Sequence, residues 1–444
     1  MDELLQEIYS MSKAEMEECS KRLMLGGGTR GMPTIVRGKG VRLFDTDGAS
    51  YIDCTSQSWA MYLGFANEEI NRIVCEHLQN MSHVHQGFDT PMRFYLAKLL
   101  TDLAPDGLNR VSFTVGGGAA IEAAMKIAIK NTQPSRDFIC LYDSYHGTTL
   151  GTIGASWVST RSSGKLAGGS RFLPLTKPFI RVPNPYCYRC PMELERPTCG
   201  LACARMLELT LKKGIAGNAA GFLVEPIQAS AGQIIPPVEY LLEVRRICDD
   251  YSVPLIYDEI QTYCRIGRFF ASEYFGVEPD MIVLGKGLGA GFAIAAVIVS
   301  DRLEGFEPDT EELHTFANSS VAQVAAIKQI CMMQEWVLEN TRRMGAYLRA
   351  GLESLQEEYP EIGDIRQAGL HIGVEMVTDP VSKTPADGES NAIRAHARDN
   401  GVILGRSGPT SNVIKIKPPL VIKQGECDEV LDVFGRVLRA VLRA

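Results

Sequence analysis

The sequence predicts a doubly wound, mostly parallel α/β sheet joined to a smaller α+β domain. From about residue 92 to 300, short apolar runs alternate with stretches of helical periodicity, the pattern of repeated βα units. Two of the runs, 254–257 (PLIY) and 281–284 (MIVL), are brief and unalternating, as strands buried on both faces are. Each ends on a charge that a buried strand should avoid: Asp258 closes the first, and Lys286 stands one glycine beyond the second. Ligands of open parallel sheets lie just outside the carboxyl ends of the strands. An acid and an amine from two strands are therefore placed to meet over one ligand.

In chain order, residues 1–24 read as one amphipathic helix with Leu4, Leu5, Ile8, Tyr9 and Met11 on a repeating face, ended by Gly26-Gly27-Gly28. VRLFDTDGASYIDC reads as two short strands about an Asp47-Gly48 turn. SWAMYLG (58–64) is a loop, followed by a helix near 68–78. Helix 93–103, strand 111–115, helix 118–131, strands 138–142 and 222–225 and helix 238–251 lead to the central pair. A long helix starts near 320. Beyond it, strands 369–376, 402–404 and 413–416 mix with helices 392–399 and 426–442. The division expected is 1–65 as an amino-terminal segment packing on the small domain, 66–320 as the large domain and 321–444 as the small domain. No internal repeat or low-complexity segment breaks this order.

A chain of 444 residues with 45% hydrophobic and 22% charged residues has ample material for a core. A net charge of −8 and the lack of a Lys/Arg cluster argue against nucleic acid. The longest apolar run, 292–299, is too short to cross a bilayer. The acidic amino terminus lacks the order of an export signal, and twelve scattered cysteines suit a reducing cytoplasm.

Pyridoxal 5′-phosphate needs the pair at the strand ends: a lysine for its aldehyde and an acid for its ring nitrogen. The motifs DEIQ, GRFFASEYFGVEPDMIVLGKGLGAG, YHGTTLG and EPIQ together resemble the class III (ω-type) aminotransferases of fold-type I, over roughly residues 35 to 440. That resemblance implies a pyridoxal-phosphate enzyme with a seven-stranded-type large-domain sheet and a small domain formed by the two chain ends. It implies a homodimer with shared active sites, acting on a small-molecule amino donor and a carbonyl acceptor.

Residue by residue, the resemblance casts Lys286 as the Schiff-base lysine and Asp258 as the partner of the pyridinium nitrogen. Gln261 matches the side chain bonded to the ring's phenolic oxygen. Gly117 and Gly118 match the phosphate-binding turn, although the family's Ser and acid are Gly116 and Ala119 here. Tyr145 matches the residue stacked on the ring, Glu225 a carboxylate near the cofactor, and Thr315 a hydroxyl reaching the neighbouring subunit's phosphate. Two departures fall on the substrate side. TYCRIG after Gln261 is shorter than the family's pattern, and Lys415 stands where many relatives carry a carboxylate-binding arginine before Pro-Pro. Lys is a point charge where Arg is a planar fork. Trp59, with Tyr62 and Arg406, is a further candidate at the mouth.

Rival readings stay open. Gly285-x-Gly287-x-x-Ala290 fits a dinucleotide fingerprint, but the β-like FAIAAVIVS follows where a helix is required. Cys187, Cys190, Cys199 and Cys203 suit zinc by count and spacing or are free thiols, and no metal is assigned to the site. Racemases, epimerases and lyases share the same lysine and aspartate, and a non-catalytic cofactor-binding protein is the alternative from another class.

Overall fold

The computed structural model describes residues 2–24, 31–162, 165–308 and 310–443. Its largest sheet has seven strands: β1 (Arg110–Thr114), β2 (Asp137–Leu141), β3 (Ile180–Val182), β4 (Ala219–Val224), β5 (Leu255–Asp258), β6 (Met281–Leu284) and β7 (Ala295–Val299). They lie in the order β1-β7-β6-β5-β4-β2-β3. β7 runs antiparallel to both its neighbours, and every other pairing is parallel. Every residue of β4 to β7 is buried, which is why their sequences read as unbroken apolar runs.

Side chains leave the two sheet faces alternately. Leu255 and Tyr257 join one core with Phe222, Leu241 and Val244. Ile256 joins the opposite core with Met281, Val283 and Ile121 of helix Gly117–Asn131. A register slip of one residue would exchange these faces, so the central strands are firmly placed.

Helix Ser320–Met332 passes through a π turn, Met333–Val337, into helix Leu338–Glu358. There a second sheet begins, with Ile362–Ala368, His371–Asp379, Val413–Ile416 and Gly405–Ser407 in that order. The hairpin expected about Asp47-Gly48 pairs Arg42–Asp45 with Ser50–Asp53. Val402–Ile403 then adds parallel to Ser50–Asp53, which joins the two chain ends in one sheet.

The amino terminus departs from expectation. Residues 3–20 form two helices, Glu3–Tyr9 and Lys13–Ser20, broken where Ser12 starts the second. Ser12 Oγ accepts from the Glu15 N–H at 3.3 Å, and Glu15 Oε2 accepts from the Ser12 N–H at 2.7 Å. This capping box outweighs helix continuity. The expected apolar face is exposed at Leu4, Leu5, Ile8 and Tyr9. The terminating Gly26-Gly27-Gly28 lies outside the described residues.

Candidate active site

Two connected spaces open at the carboxyl ends of β4, β5 and β6. The inner cleft, of about 300 Å³, is lined by Gly117, Gly118, Tyr145, Glu225, Asp258, Gln261 and Lys286 together with the His146–Thr149 turn. Seven of the eight expected cofactor residues thus meet in one place. The eighth, Thr315, lies exposed on a turn outside the cleft.

Lys286 follows β6 with φ of +42°, a left-handed conformation that costs a non-glycine residue roughly 1 kcal/mol. The next residue helps to hold it. A Cβ on Gly287 would lie 2.2 Å from the Tyr62 ring, and Gln329 donates to the Gly287 carbonyl. Tyr62 is therefore packing behind the turn and does not line either space. Burial lowers the Lys286 amine from its ordinary pKa, while Asp258 and Glu225 oppose that shift.

Asp258 ends β5 almost fully buried. Its Oδ1 accepts from the Ile260 N–H at 3.1 Å, and its Oδ2 lies 2.8 Å from His146 Nδ1. An ionised aspartate only accepts, so His146 carries its proton on Nδ1 and donates. The sequence reading missed His146, although it stands beside Tyr145 in YHG. Glu225 fixes the same turn from β4: Oε1 accepts from the Tyr145 N–H at 2.9 Å and Oε2 from the Ala229 N–H at 3.0 Å. Burial raises the Glu225 pKa. Gln261 Oε1 accepts from Lys417 Nζ at 3.4 Å, and Lys417 was also missed.

At the opposite end of the cleft, Gly116 starts helix Gly117–Asn131 with no side-chain cap, leaving its first N–H groups free for an anion. A Cβ on Gly117 would come within 2.8 Å of Ile260 Cδ1, and one on Gly118 within 2.9 Å of Thr149 Cγ2. Glycine at both positions leaves these two side chains room beside the cradle. An anion cradle, a buried carboxylate and a buried amine around one cleft fit pyridoxal phosphate, which presents a phosphate, a basic ring nitrogen and an aldehyde.

The outer chamber, of about 520 Å³, shares Tyr145, Gln261 and Lys286 with the cleft. Trp59, Trp157, Arg161, Arg406 and Lys415 complete its main walls, and among the described residues no Asp or Glu lines it. Lys415 Nζ sits 4.0 Å from the centroid of the Trp59 ring. Cys187, Cys190, Cys199 and Cys203 lie elsewhere, around a separate cavity of about 30 Å³. All four are free thiols, and among the described residues no group of three or more His, Cys, Asp or Glu is arranged to hold a metal.

The fold and the cleft define a fold-type I pyridoxal-phosphate enzyme. The sequence profile of the class III aminotransferases matches residues 28–438, and the chain belongs to that family. It is a pyridoxal-phosphate-dependent aminotransferase. It is 32% identical over 433 residues to the adenosylmethionine-8-amino-7-oxononanoate aminotransferase of Geobacter sulfurreducens, covering 92% of each chain. It is 31% identical over 414 residues to the leucine/methionine racemase of Thermococcus litoralis, covering 91% of this chain and 90% of that one. Among solved structures, the PLP-bound amine transaminase of an uncultivated Pseudomonas species superposes with a TM-score of 0.83 at 27% identity, covering 94% and 97%. No described helix is long and apolar enough to cross a membrane.

Proposed function

We propose that this aminotransferase moves an amino group between a donor and a 2-oxo acid, at least one of them carrying an anionic group into the outer chamber. The observation that carries this reading is the chamber's lining: Arg406 and Lys415 face it, and among the described residues no carboxylate does. Cations without a protein counter-charge are stabilised by an anionic substrate. When bound, pyridoxal phosphate supplies the electron sink for the substrate's Cα.

The chain's own residues do the rest. The N–H groups at Gly117 and Gly118 would hold the phosphate. Asp258, placed by the Ile260 N–H and His146 Nδ1, would hold a proton on the ring nitrogen. The Gln261 amide nitrogen, which makes no hydrogen bond within the described chain, would donate to the ring's phenolic oxygen. Tyr145, fixed by Glu225, offers its ring as a stacking face. Lys286 Nζ would move the proton from the donor's Cα to the cofactor's aldehyde-derived carbon, a role suited to an amine whose basicity burial has lowered.

A homodimer completes the site in this reading, with Thr315 reaching the phosphate held by the partner subunit. Exposed Phe88, Phe94, Tyr95 and Phe316 supply apolar surface for such a contact. The division into residues 1–65, 66–320 and 321–444 and a cytoplasmic location, in keeping with twelve free cysteines, belong to the same proposal.

The test pairs amino donors with 2-oxoglutarate or pyruvate. A new amino acid for donors bearing a carboxylate, absent in Lys286→Ala, supports the reading. Loss of optical activity without a new amino acid would instead make the chain a racemase.

A further inference from the structure

Behind the outer chamber stand two lysines where one cation would serve to meet an anion. Lys415 and Lys417 are two residues apart at the end of strand Val413–Ile416, so both side chains leave the same face. Ile414 and Ile416 turn the other way, into the core. Lys415 is 2% exposed and Lys417 0%. Their Nζ atoms lie 4.0 and 5.0 Å from the Trp59 ring centroid. Lys415 Nζ makes no hydrogen bond or ion pair within the described chain, and Lys417 Nζ donates only to Gln261 Oε1. The strand register sets Lys415 between Gly373 and Gly405. A Cβ on Gly405 would lie 2.9 Å from Lys415 Cβ, so glycine there leaves the lysine stem its path.

The Trp59 face is held rigidly against both amines. Ser56, Gln57, Ser58 and Trp59 have φ of +43°, +47°, +60° and +68°, four left-handed residues in succession. Such a run persists only where its surroundings over-determine it. Asp53 accepts from the N–H groups of Thr55 and Gln57 at 2.8 and 2.9 Å, and Ser56 Oγ donates to the Lys417 carbonyl at 2.6 Å.

The groups facing Lys415 are Lys286 after β6, Glu225 at the end of β4, Arg394 on helix Asp387–Asp399 and Arg406 on the adjacent strand. Those facing Lys417 are Lys415, Arg265, Lys286 and Glu225, and His371 faces both lysines. Cations dominate. A buried ammonium with no counter-ion is costly, and lysine, unlike arginine, can escape by giving up its proton. Burial first, then the Lys286 charge, lowers the Lys415 pKa to about 7. Burial, then the charges of Lys415 and Arg265, lowers Lys417 well below its ordinary value.

We propose that Lys415, backed by Lys417, forms a subsite for a substrate carboxylate, holding it by taking up a proton on binding rather than by a fixed charge. The proton comes from solvent and returns to it when the carboxylate leaves. Lys417 stands behind Lys415 and lines neither space, and the Lys415 charge helps to lower its basicity. The inference rests on the outer chamber being the substrate side of the proposed reaction.

The experiment titrates succinate, an unreactive dicarboxylate, into the holoenzyme by calorimetry from pH 6 to 9, in buffers of differing ionisation enthalpy. Wild-type enzyme is expected to take up protons on binding, with the succinate Kd rising about tenfold per pH unit above pH 7. Lys415→Arg should bind with that slope lost. Lys417→Met, which removes an amine that does not line the chamber, should keep the slope and its onset. No proton uptake by the wild type, or an unchanged slope in Lys415→Arg, overturns the subsite. A slope lost in Lys417→Met would move the proton uptake to Lys417 and overturn the assignment to Lys415. Consumption of 1-phenylethylamine with pyruvate, whose donor has no carboxylate, reports separately on amino transfer. Its persistence without proton-linked succinate binding would leave the aminotransferase reading standing and this one not.

Discussion

The inner cleft and the outer chamber share three residues and follow opposite electrostatic rules. In the cleft each carboxylate has its complement: Asp258 has the His146 N–H, and Glu225 has two backbone N–H groups. In the chamber, Lys415 and Arg406 have no ion-pair or hydrogen-bond partner within the described chain. A paired buried group is a fixed part, set at folding and positioned for one task. An unpaired one is stabilised by whatever enters. In the proposed reaction the cleft therefore takes a resident cofactor and the chamber passing substrates.

The largest effect that would break this comparison is at Lys286. Lys286→Ala should lower the rate of amino transfer by about a thousandfold or more, within the range for a lost general base. Pre-steady-state consumption of donor by purified enzyme measures it.

Next is His146. Removing a hydrogen bond to a charged group costs about 1.5–3 kcal/mol, so His146→Phe should lower kcat/KM by about ten- to a hundredfold. A variant that keeps the wild-type kcat/KM would make His146 merely a packing residue.

A smaller effect sharpens the contrast within the cleft's own motif. Glu259 is fully buried, and burial raises its pKa to about 8 from the ordinary 4.5. Between those values the folded chain keeps a proton that the unfolded chain has released, so its contribution to stability falls as pH rises through that window. From pH 5 to 7, the thermal midpoint of cofactor-free Glu259→Gln should fall less, or rise more, than that of the wild type. Equal pH dependence in the two would show that Glu259 is ionised in the folded state.

The smallest expected effect is at Gly405. Gly405→Ala presses a methyl group against Lys415 Cβ and should weaken succinate binding by a fewfold while leaving pyridoxal-phosphate affinity unchanged. Equal losses of both would mean that cleft and chamber are one mechanical unit.

The same contrast explains what the sequence made legible. The cleft's residues end strands or start a helix, so local pattern brought Asp258 and Lys286 to one edge of the sheet, and the family resemblance added Gly117 and Gly118. His146 escaped because a histidine inside YHG has no periodic signal. Its role depends on β5 lying near enough to present Asp258. Lys417 escaped for a related reason: in KIK the alternation marks a strand, and nothing local says that its polar face is the buried one. The single amino-terminal helix failed because Ser12 and Glu15 cap a new helix inside a continuous apolar pattern. Burial of a charge and the partner of a side chain are tertiary facts.

Lys286 and Lys415 line these spaces and Lys417 stands behind them, and burial makes each of the three amines less basic than an exposed lysine. Each is in principle a nucleophile toward an aldehyde, so the central assignment can be put to a direct choice. Borohydride reduction of the holoenzyme followed by peptide mass spectrometry should place the pyridoxyl group on Lys286 alone. A label on Lys415 or Lys417, with Lys286 unmodified, would contradict the account.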